Sequence, residues 1–129
     1  VKKKILPALK KRKIVICDRF IDSTIAYQVF GKNVNKNLID TIHKYILHKT
    51  RPDLTFVLKV KISKALNRIK KRKTINRYDK FSKKFYLNAQ KGFLKIAKNK
   101  KKYHIFDNSE DNLNLEKKIL KIILSKLKI

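Results

Sequence analysis

The chain has 129 residues, enough for one domain with a single hydrophobic core. Its one cysteine, Cys17, excludes a disulfide framework, and we expect a reducing cytoplasm as its compartment. No apolar stretch approaches the roughly 18 residues of a membrane-spanning helix, and no signal peptide is indicated, so we expect no membrane partner.

The chain is strongly basic, with 36 Lys and Arg against 9 Asp and Glu and a formal net charge of +27. That charge alone would support a small nucleic-acid-binding protein. However, the lysines are spread along the whole chain, and the aromatic residues fall mainly on helical stripes typical of a core. We therefore expect a solvated basic surface, and nucleic-acid binding is kept as an alternative.

The first part of the chain alternates helical and strand-like patterns. The end of a helix is predicted over residues 2–11. The β-branched run 14–17 is typical of a strand buried on both faces of a parallel sheet. A helix is predicted over residues 23–30, with Gly31 as its end, and a second over residues 35–48.

A second strand is predicted over residues 54–60, where another hydrophobic run follows a helix-breaking proline. Ser63 is the predicted cap of the next helix, which leads into a basic loop at about residues 70–80. We expect this loop to be mobile and exposed. Asp79 is predicted to open a long helix with an aromatic stripe.

The chain closes with a third predicted strand over residues 103–106 and an amphipathic helix over residues 113–127. Strands that alternate with helices indicate βαβ units with right-handed crossovers. The predicted fold class is therefore α/β, with a parallel sheet covered by helices on both faces and a single domain over residues 1–129.

Asp18 and Arg19 directly follow the first predicted strand. In open parallel sheets the ligand lies beyond the carboxyl ends of the strands, which makes this pair a candidate site. A guanidinium can hold a phosphate by two parallel hydrogen bonds, and a carboxylate can order Mg²⁺ through water. A helix cap with a surface ion pair explains the same residues equally well from position alone.

The residues around this pair carry a specific resemblance. The segment 18–28, Asp-Arg-Phe-Ile-Asp-Ser-Thr-Ile-Ala-Tyr-Gln, resembles the signature of the thymidylate kinase family, Asp-Arg-aromatic followed by Ser-Thr-x-Ala-Tyr-Gln. The resemblance continues in order through segments 7–9, 51–55, 76–79 and 92–97. It implies a three-layer, P-loop kinase-like fold, phosphoryl transfer from ATP to dTMP with Mg²⁺, and a homodimer.

The resemblance implies roles for individual residues. Arg19 would grip the dTMP phosphate, and Asp18 would support the phosphate and Mg²⁺ network through water. Thr24 and Gln28 would face the thymine base, since positions four apart share a helical face. Two further residues belong to the same substrate-binding helix: Ser23, and Tyr27, which would pack under the sugar. An ordinary core tyrosine is the alternative for the latter.

The basic loop resembles the family's lid, which closes over ATP and supplies arginines to the transferring phosphoryl group. Arg68, Arg72 and Arg77 match arginines of that region. The resemblance implies catalytic roles for Arg72 and Arg77 and ATP-binding roles for Arg68 and Arg72, with Arg68 at the base of the helix. Solvated surface cations are the alternative for each.

Some features depart from the family pattern. Lys59 stands where many relatives have an acidic residue. The sequence contains no Gly-x-x-x-x-Gly-Lys-Ser/Thr element, and its two glycines, Gly31 and Gly92, cannot form one. Since the chain also begins at Val1, we expect a fragment whose N-terminal strand and phosphate-binding loop are missing, and no phosphate transfer by the chain alone. A kinase for another nucleoside monophosphate remains an alternative.

Overall fold

The computed structural model describes residues 1–48, 50–73, 80–109 and 113–127. Six α-helices, one π-helix and two strands occur in this part of the chain. The helices are α1 (Ile5–Lys10), α2 (Ile21–Thr24), the π-helix (Ile25–Gly31), α3 (Lys36–Leu47), α4 (Ile62–Lys70), α5 (Lys83–Ile96) and α6 (Leu113–Leu127), and the strands are β1 (Thr55–Lys59) and β2 (Tyr103–Asp107).

The two strands form a parallel pair, in which Thr55 lies opposite Tyr103 and Lys59 lies opposite Asp107. Parallel neighbours require a crossover connection, and α4 and α5 lie in the segment that joins them. This βαβ arrangement confirms the predicted α/β class with a parallel sheet. Both strands lie where the hydrophobic runs predicted them.

The predicted strand over residues 14–17 is wrong. This run has no regular secondary structure, and the side chain of Ile16 is 88% exposed. A strand persists only when a neighbour supplies ladder hydrogen bonds, and the sheet in the described residues pairs β1 with β2 alone. The β-branched composition of the run is therefore not sufficient to make it a strand here.

Two glycines bring the π-helix and α5 into close contact. A Cβ atom at Gly92 would lie 2.6 Å from Cδ2 of Phe30, and a Cβ atom at Gly31 would lie 2.5 Å from Cε2 of Phe85. Each ring thus occupies the space that the opposite glycine leaves free. Gly31 is the last residue of the π-helix, as predicted, but its φ is not positive, so it serves this close approach and not a left-handed turn.

Local capping explains where α3 and α5 begin. The side chain of Asn35 accepts a hydrogen bond from the backbone N–H of Asn37 at 2.8 Å, and α3 starts at the next residue after Asn35. The hydroxyl group of Ser82 accepts from the N–H of Phe85 at 3.3 Å and caps α5. Asp79, predicted to open that helix, lies outside the described residues.

The predicted cap of α4 is wrong. Ser63 lies inside the helix, and the N-cap position is Lys61, whose own side chain makes no capping hydrogen bond. Instead, the backbone N–H of Lys61 donates to the Ser109 hydroxyl group at 2.9 Å. A residue that follows β2 therefore satisfies the start of α4, which a local sequence pattern cannot reveal.

Candidate functional site

The chain turns sharply at Asp18 and Arg19. Both side chains are exposed, and Arg19 has a φ of 60°, in the left-handed region that non-glycine residues seldom adopt. The Cys17 thiol donates to the carbonyl oxygen of Arg19 at 3.6 Å within this turn. Because residues 1–17, all of which the structure describes, contain no strand, the predicted position of the pair at the end of strand 14–17 is also wrong.

Arg19 lies over the aromatic ring of Tyr27. The guanidinium carbon is 5.5 Å from the ring centroid, within the range of a cation–π contact. Tyr27 also stacks on Phe85, with centroids 5.8 Å apart, and meets Phe93 edge-on at 5.9 Å. The structure therefore brings two predicted site residues together, and it joins Tyr27 to the aromatic core of α5.

A small cavity of about 150 Å³ lies beside Tyr27 and around the carboxyl end of β1. Lys59, Val60 and Gln90 line it, and the Gln90 side chain donates a hydrogen bond to the Val60 carbonyl oxygen at 2.7 Å. Ligands of α/β sheets bind at this end of the strands. The volume is below the range of about 300–1,000 Å³ for whole small-molecule pockets, so it fits part of a ligand.

Three predicted substrate-binding residues, including the two expected to face the base, lie on two different kinds of helix. Ser23 and Thr24 belong to α2, whereas Gln28 belongs to the π-helix, whose wider turn rotates side chains by a smaller angle per residue. All three are half-buried, and none of them lines the cavity beside Tyr27. The angle between Thr24 and Gln28 around the helix axis therefore differs from the angle that an α-helix would give to residues four apart.

An unpredicted hydrogen bond involves the first turn of this helical segment. The Tyr103 hydroxyl group donates to the Asp22 carboxylate at 3.0 Å. Burial, followed by the nearby negative charge of Asp22 and this hydrogen bond, raises the pKa of Tyr103 to about 12. The contact ties α2 to the first residue of β2. No local pattern signals it, because the two residues are 81 positions apart.

A second polar cluster lies at the carboxyl end of β2. The backbone N–H of Ser109 donates to the Asp107 carboxylate at 2.8 Å, and hydrogen bonds from Ser109 hold the pKa of Asp107 below its ordinary value. Arg68 donates to the carbonyl oxygen of Asn108 at 3.3 Å. This contact places Arg68 at the junction of α4 with the end of β2.

Of the other two arginines of the basic loop, one lies within the described residues. Arg72 is exposed and follows α4, and Arg77 lies outside the described residues.

Within the described ranges, no group of three or more His, Cys, Asp or Glu side chains is arranged to hold a metal ion. In the same ranges, none of the helices combines the length and the apolar character needed to cross a membrane.

Comparison with known proteins gives a consistent result. A family model described as thymidylate kinase matches residues 1–119. The thymidylate kinase of Wolbachia sp. subsp. Brugia malayi (strain TRS) is 50% identical over 99 residues, which are 77% of this chain and 46% of that protein. That of Mycoplasma capricolum subsp. capricolum is 37% identical over 131 residues, covering 99% of this chain and 62% of that protein.

A solved structure agrees with this match. The crystal structure of thymidylate kinase from Ehrlichia chaffeensis gives a TM-score of 0.68 at 32% identity, and the match covers 99% of this chain and 58% of that chain. The chain thus spans about half the length of the relatives that it matches. Because the family model covers most of the sequence and the fold agrees with a solved member, this chain belongs to the thymidylate kinase family.

Proposed function

We propose that this chain forms the nucleoside-monophosphate side of a dTMP kinase, which transfers the γ-phosphoryl group of ATP to dTMP and releases dTDP and ADP. The observation that carries the proposal is the Arg19–Tyr27 contact next to the cavity at the carboxyl end of β1. It combines a phosphate-binding cation with an aromatic surface for the sugar, inside the segment that resembles the family signature.

In this proposal, Arg19 binds the dTMP phosphate, and its contact with Tyr27 keeps the guanidinium beside the nucleotide. Asp18 orders Mg²⁺ through water, which its exposed carboxylate allows. Ser23, Thr24 and Gln28 contact the nucleotide from the half-buried side of the helical segment. Phosphoryl transfer depends mainly on such positioning and charge neutralisation, so no covalent intermediate with the chain is required.

The ATP side is proposed for the whole protein. Arg72 and Arg77 neutralise charge on the transferring phosphoryl group, and Arg68 and Arg72 contact ATP. The residues of this chain do not by themselves make a phosphate-cradling loop, because no Gly-x-x-x-x-Gly-Lys-Ser/Thr element occurs in the sequence. Binding of dTMP is therefore the part of the function that this chain can be tested for directly.

We also propose that the whole protein acts in the cytoplasm as a homodimer, with dTMP and ATP and not a nucleic acid as its partners. Support for the dimer comes from α3, which exposes Leu38, Ile42, Tyr45 and Ile46 along one side. A two-fold interface uses the same patch on both subunits, and an exposed apolar stripe suits that geometry.

The proposal is tested by titrating the purified chain with nucleotides in a calorimeter. We expect dTMP to bind and thymidine, which lacks the phosphate, to bind at least about tenfold more weakly, because a charge-assisted hydrogen bond to phosphate is lost. Titrations with dUMP, dCMP and dAMP measure the base preference. Equal affinity for all four monophosphates would remove dTMP as the assigned substrate, and the absence of any nucleotide binding would remove the site.

A further inference from the structure

Phe85 on α5 is held in place from several sides. Its side chain is 5% exposed. It stacks on Phe81, with ring centroids 4.2 Å apart, and meets the ring of Tyr86 at nearly a right angle, 5.5 Å away. A Cβ atom at Gly31 would lie 2.5 Å from Cε2 of Phe85, so the ring fills the space that this glycine leaves. The neighbours of Phe85 therefore restrict the orientation of its ring.

The restricted ring of Phe85 supports the ring of Tyr27. The two centroids are 5.8 Å apart and the ring planes differ by 12°, which is a stacked arrangement. A ring that is stacked on a fixed neighbour cannot tilt unless the two surfaces separate. Since Tyr27 belongs to the π-helix, this contact joins the π-helix to the buried side of α5. Phe85 therefore limits the orientation of Tyr27.

The orientation of Tyr27 matters because Arg19 lies over its ring. The guanidinium carbon is 5.5 Å from the ring centroid, and the attraction between a cation and an aromatic ring requires the cation to lie over the ring face. The Arg19 side chain is exposed, and within the described ranges it forms no ion pair. The face of Tyr27 is therefore the contact that restricts an otherwise exposed guanidinium.

The same contacts continue to the residue that precedes the cap of α5. The Lys32 ammonium nitrogen lies 5.0 Å from the centroid of Phe81. Arg19, Tyr27, Phe85, Phe81 and Lys32 thus form a continuous set of contacts, which we call the aromatic series. A change at either phenylalanine can reach Arg19 through packed rings.

We propose that Phe85 is a positioning residue for phosphate binding: it fixes the Tyr27 ring, and that ring keeps the Arg19 guanidinium where the nucleotide phosphate binds. The inference rests on the proposed function, because it requires Arg19 to bind the phosphate of dTMP. A guanidinium that is ordered before the nucleotide arrives loses less conformational entropy on binding. Removal of the Phe85 ring should therefore weaken the part of the affinity that depends on the phosphate.

The proposal is tested with Phe85→Leu, which keeps an apolar side chain and removes the ring. Calorimetric titration gives the affinities for dTMP and thymidine, and their ratio measures the contribution of the phosphate. We expect Phe85→Leu to lower this ratio about threefold or more, because an aromatic contact behind Arg19 is lost. A residue that only stabilises the fold would change the affinities for dTMP and thymidine alike and leave their ratio unchanged.

Phe106→Leu is the matched control. Phe106 is half-buried on β2, stacks on Phe56 with centroids 6.3 Å apart, and takes no part in the aromatic series. Both leucine variants should unfold at a lower temperature than the parent chain, since each loses buried aromatic surface. We expect Phe106→Leu to keep the parent ratio of dTMP to thymidine affinity.

A double-mutant cycle tests whether Phe85 acts through Arg19. In an Arg19→Met background, Phe85→Leu should change the dTMP affinity by less than about twofold, because the guanidinium that the ring positions is already absent. If circular dichroism shows that Phe85→Leu does not fold, Phe81→Leu decides the question, since Phe81 is half-buried and stacks on Phe85. This variant should lower the affinity ratio about twofold.

The possible failures are distinguishable. The inference alone is overturned if the parent chain prefers dTMP to thymidine and the deciding leucine variant keeps that preference, if Phe106→Leu lowers the preference equally, or if the effect of Phe85→Leu is as large in the Arg19→Met background. A parent chain that binds dTMP and thymidine equally would remove the proposed function, and the positioning role of Phe85 with it.

Discussion

The Tyr103 hydroxyl group donates a hydrogen bond to the Asp22 carboxylate across 3.0 Å and so joins the first strand residue of β2 to the helix that carries the proposed nucleotide-binding residues. The two residues come from distant parts of the chain, and their contact connects the first turn of α2 to the sheet. Ser23 and Thr24 directly follow Asp22 in that turn.

We predict that Tyr103→Phe lowers the free energy of unfolding by about 1 kcal/mol, because the Asp22 carboxylate loses a donor while the ring remains in place. Denaturant unfolding measures this change. Tyr45→Phe is the matched control, because Tyr45 is largely exposed and its substitution should change the free energy of unfolding little.

Ultraviolet titration gives a second measurement of the same contact. The parent chain should show a tyrosine that ionises near pH 12, in line with the raised pKa of Tyr103, and the Tyr103→Phe variant should lack it. Equal stability of Tyr103→Phe and the parent chain would show that the link is unimportant.

A second prediction concerns His43, which is buried on α3. Burial lowers its pKa below the ordinary value of 6.5, Arg51 and Lys36 act in the same direction, and the carboxylates of Asp40 and Asp22 act against it. The unfolded chain therefore binds a proton more readily than the folded chain as the pH falls through 6.5. We expect the free energy of unfolding to decrease as the pH is lowered across this range.

His43→Gln should remove part of this pH dependence, which is measured by denaturant unfolding at a series of pH values. His48→Asn is the control, because His48 is exposed and its left-handed backbone, with a φ of 43°, suits asparagine. If both variants keep the slope of the parent chain between about pH 7.5 and 5, protonation of His43 is not responsible for it.

The contact between Gly92 and Phe30 gives a third prediction. Alanine favours a helix over glycine by about 1 kcal/mol, yet a Cβ atom at this position would also lie 2.8 Å from the Cβ atom of Phe30. The ring and its backbone would have to move. We expect Gly92→Ala to destabilise the chain by about 1–3 kcal/mol in thermal or denaturant unfolding.

The neighbouring Lys91→Ala variant serves as the control for helix propensity, since Lys91 is exposed on α5, and should change stability by no more than about 0.5 kcal/mol. A Gly92→Ala variant that is more stable than the parent chain would contradict the close packing of the π-helix on α5.

Local patterns were enough for part of this fold. The apolar spacing of residues 36–47 and 113–127 predicted α3 and α6, because a helix depends on local periodicity. The hydrophobic runs also predicted β1 and β2, and each of these strands has the other as its neighbour. The run 14–17 has equally suitable composition. It is not a strand because a strand depends on a neighbour, and that dependence cannot be read from the run itself.

The candidate site was also predictable only in part. Arg19 and Tyr27 were predicted together from the signature segment, and the structure brings them into contact. The link between Asp22 and Tyr103 and the cap that Ser109 provides for α4 join residues far apart in sequence, and a polar side chain carries no sign of its distant partner. The π-helix was also missed, since it changes the helical period within an otherwise ordinary apolar pattern.

A fourth prediction concerns turnover. Without a glycine-rich loop to hold the ATP phosphates, the purified chain should show no dTMP-dependent consumption of ATP in a coupled assay. The assay is run beside a full-length thymidylate kinase under the same conditions. Measurable dTMP-dependent turnover by the chain alone would show that its own residues can position ATP.

Binding of dTMP to an Arg19→Met variant tests the central claim most directly, because it asks whether this guanidinium holds the phosphate. Arg12→Met is the matched control, since Arg12 is also exposed and also has a positive φ, 54°. We predict that Arg19→Met weakens dTMP binding at least about tenfold and leaves thymidine binding nearly unchanged, while Arg12→Met alters neither. Equal dTMP affinity of the Arg19→Met and Arg12→Met variants would contradict the account.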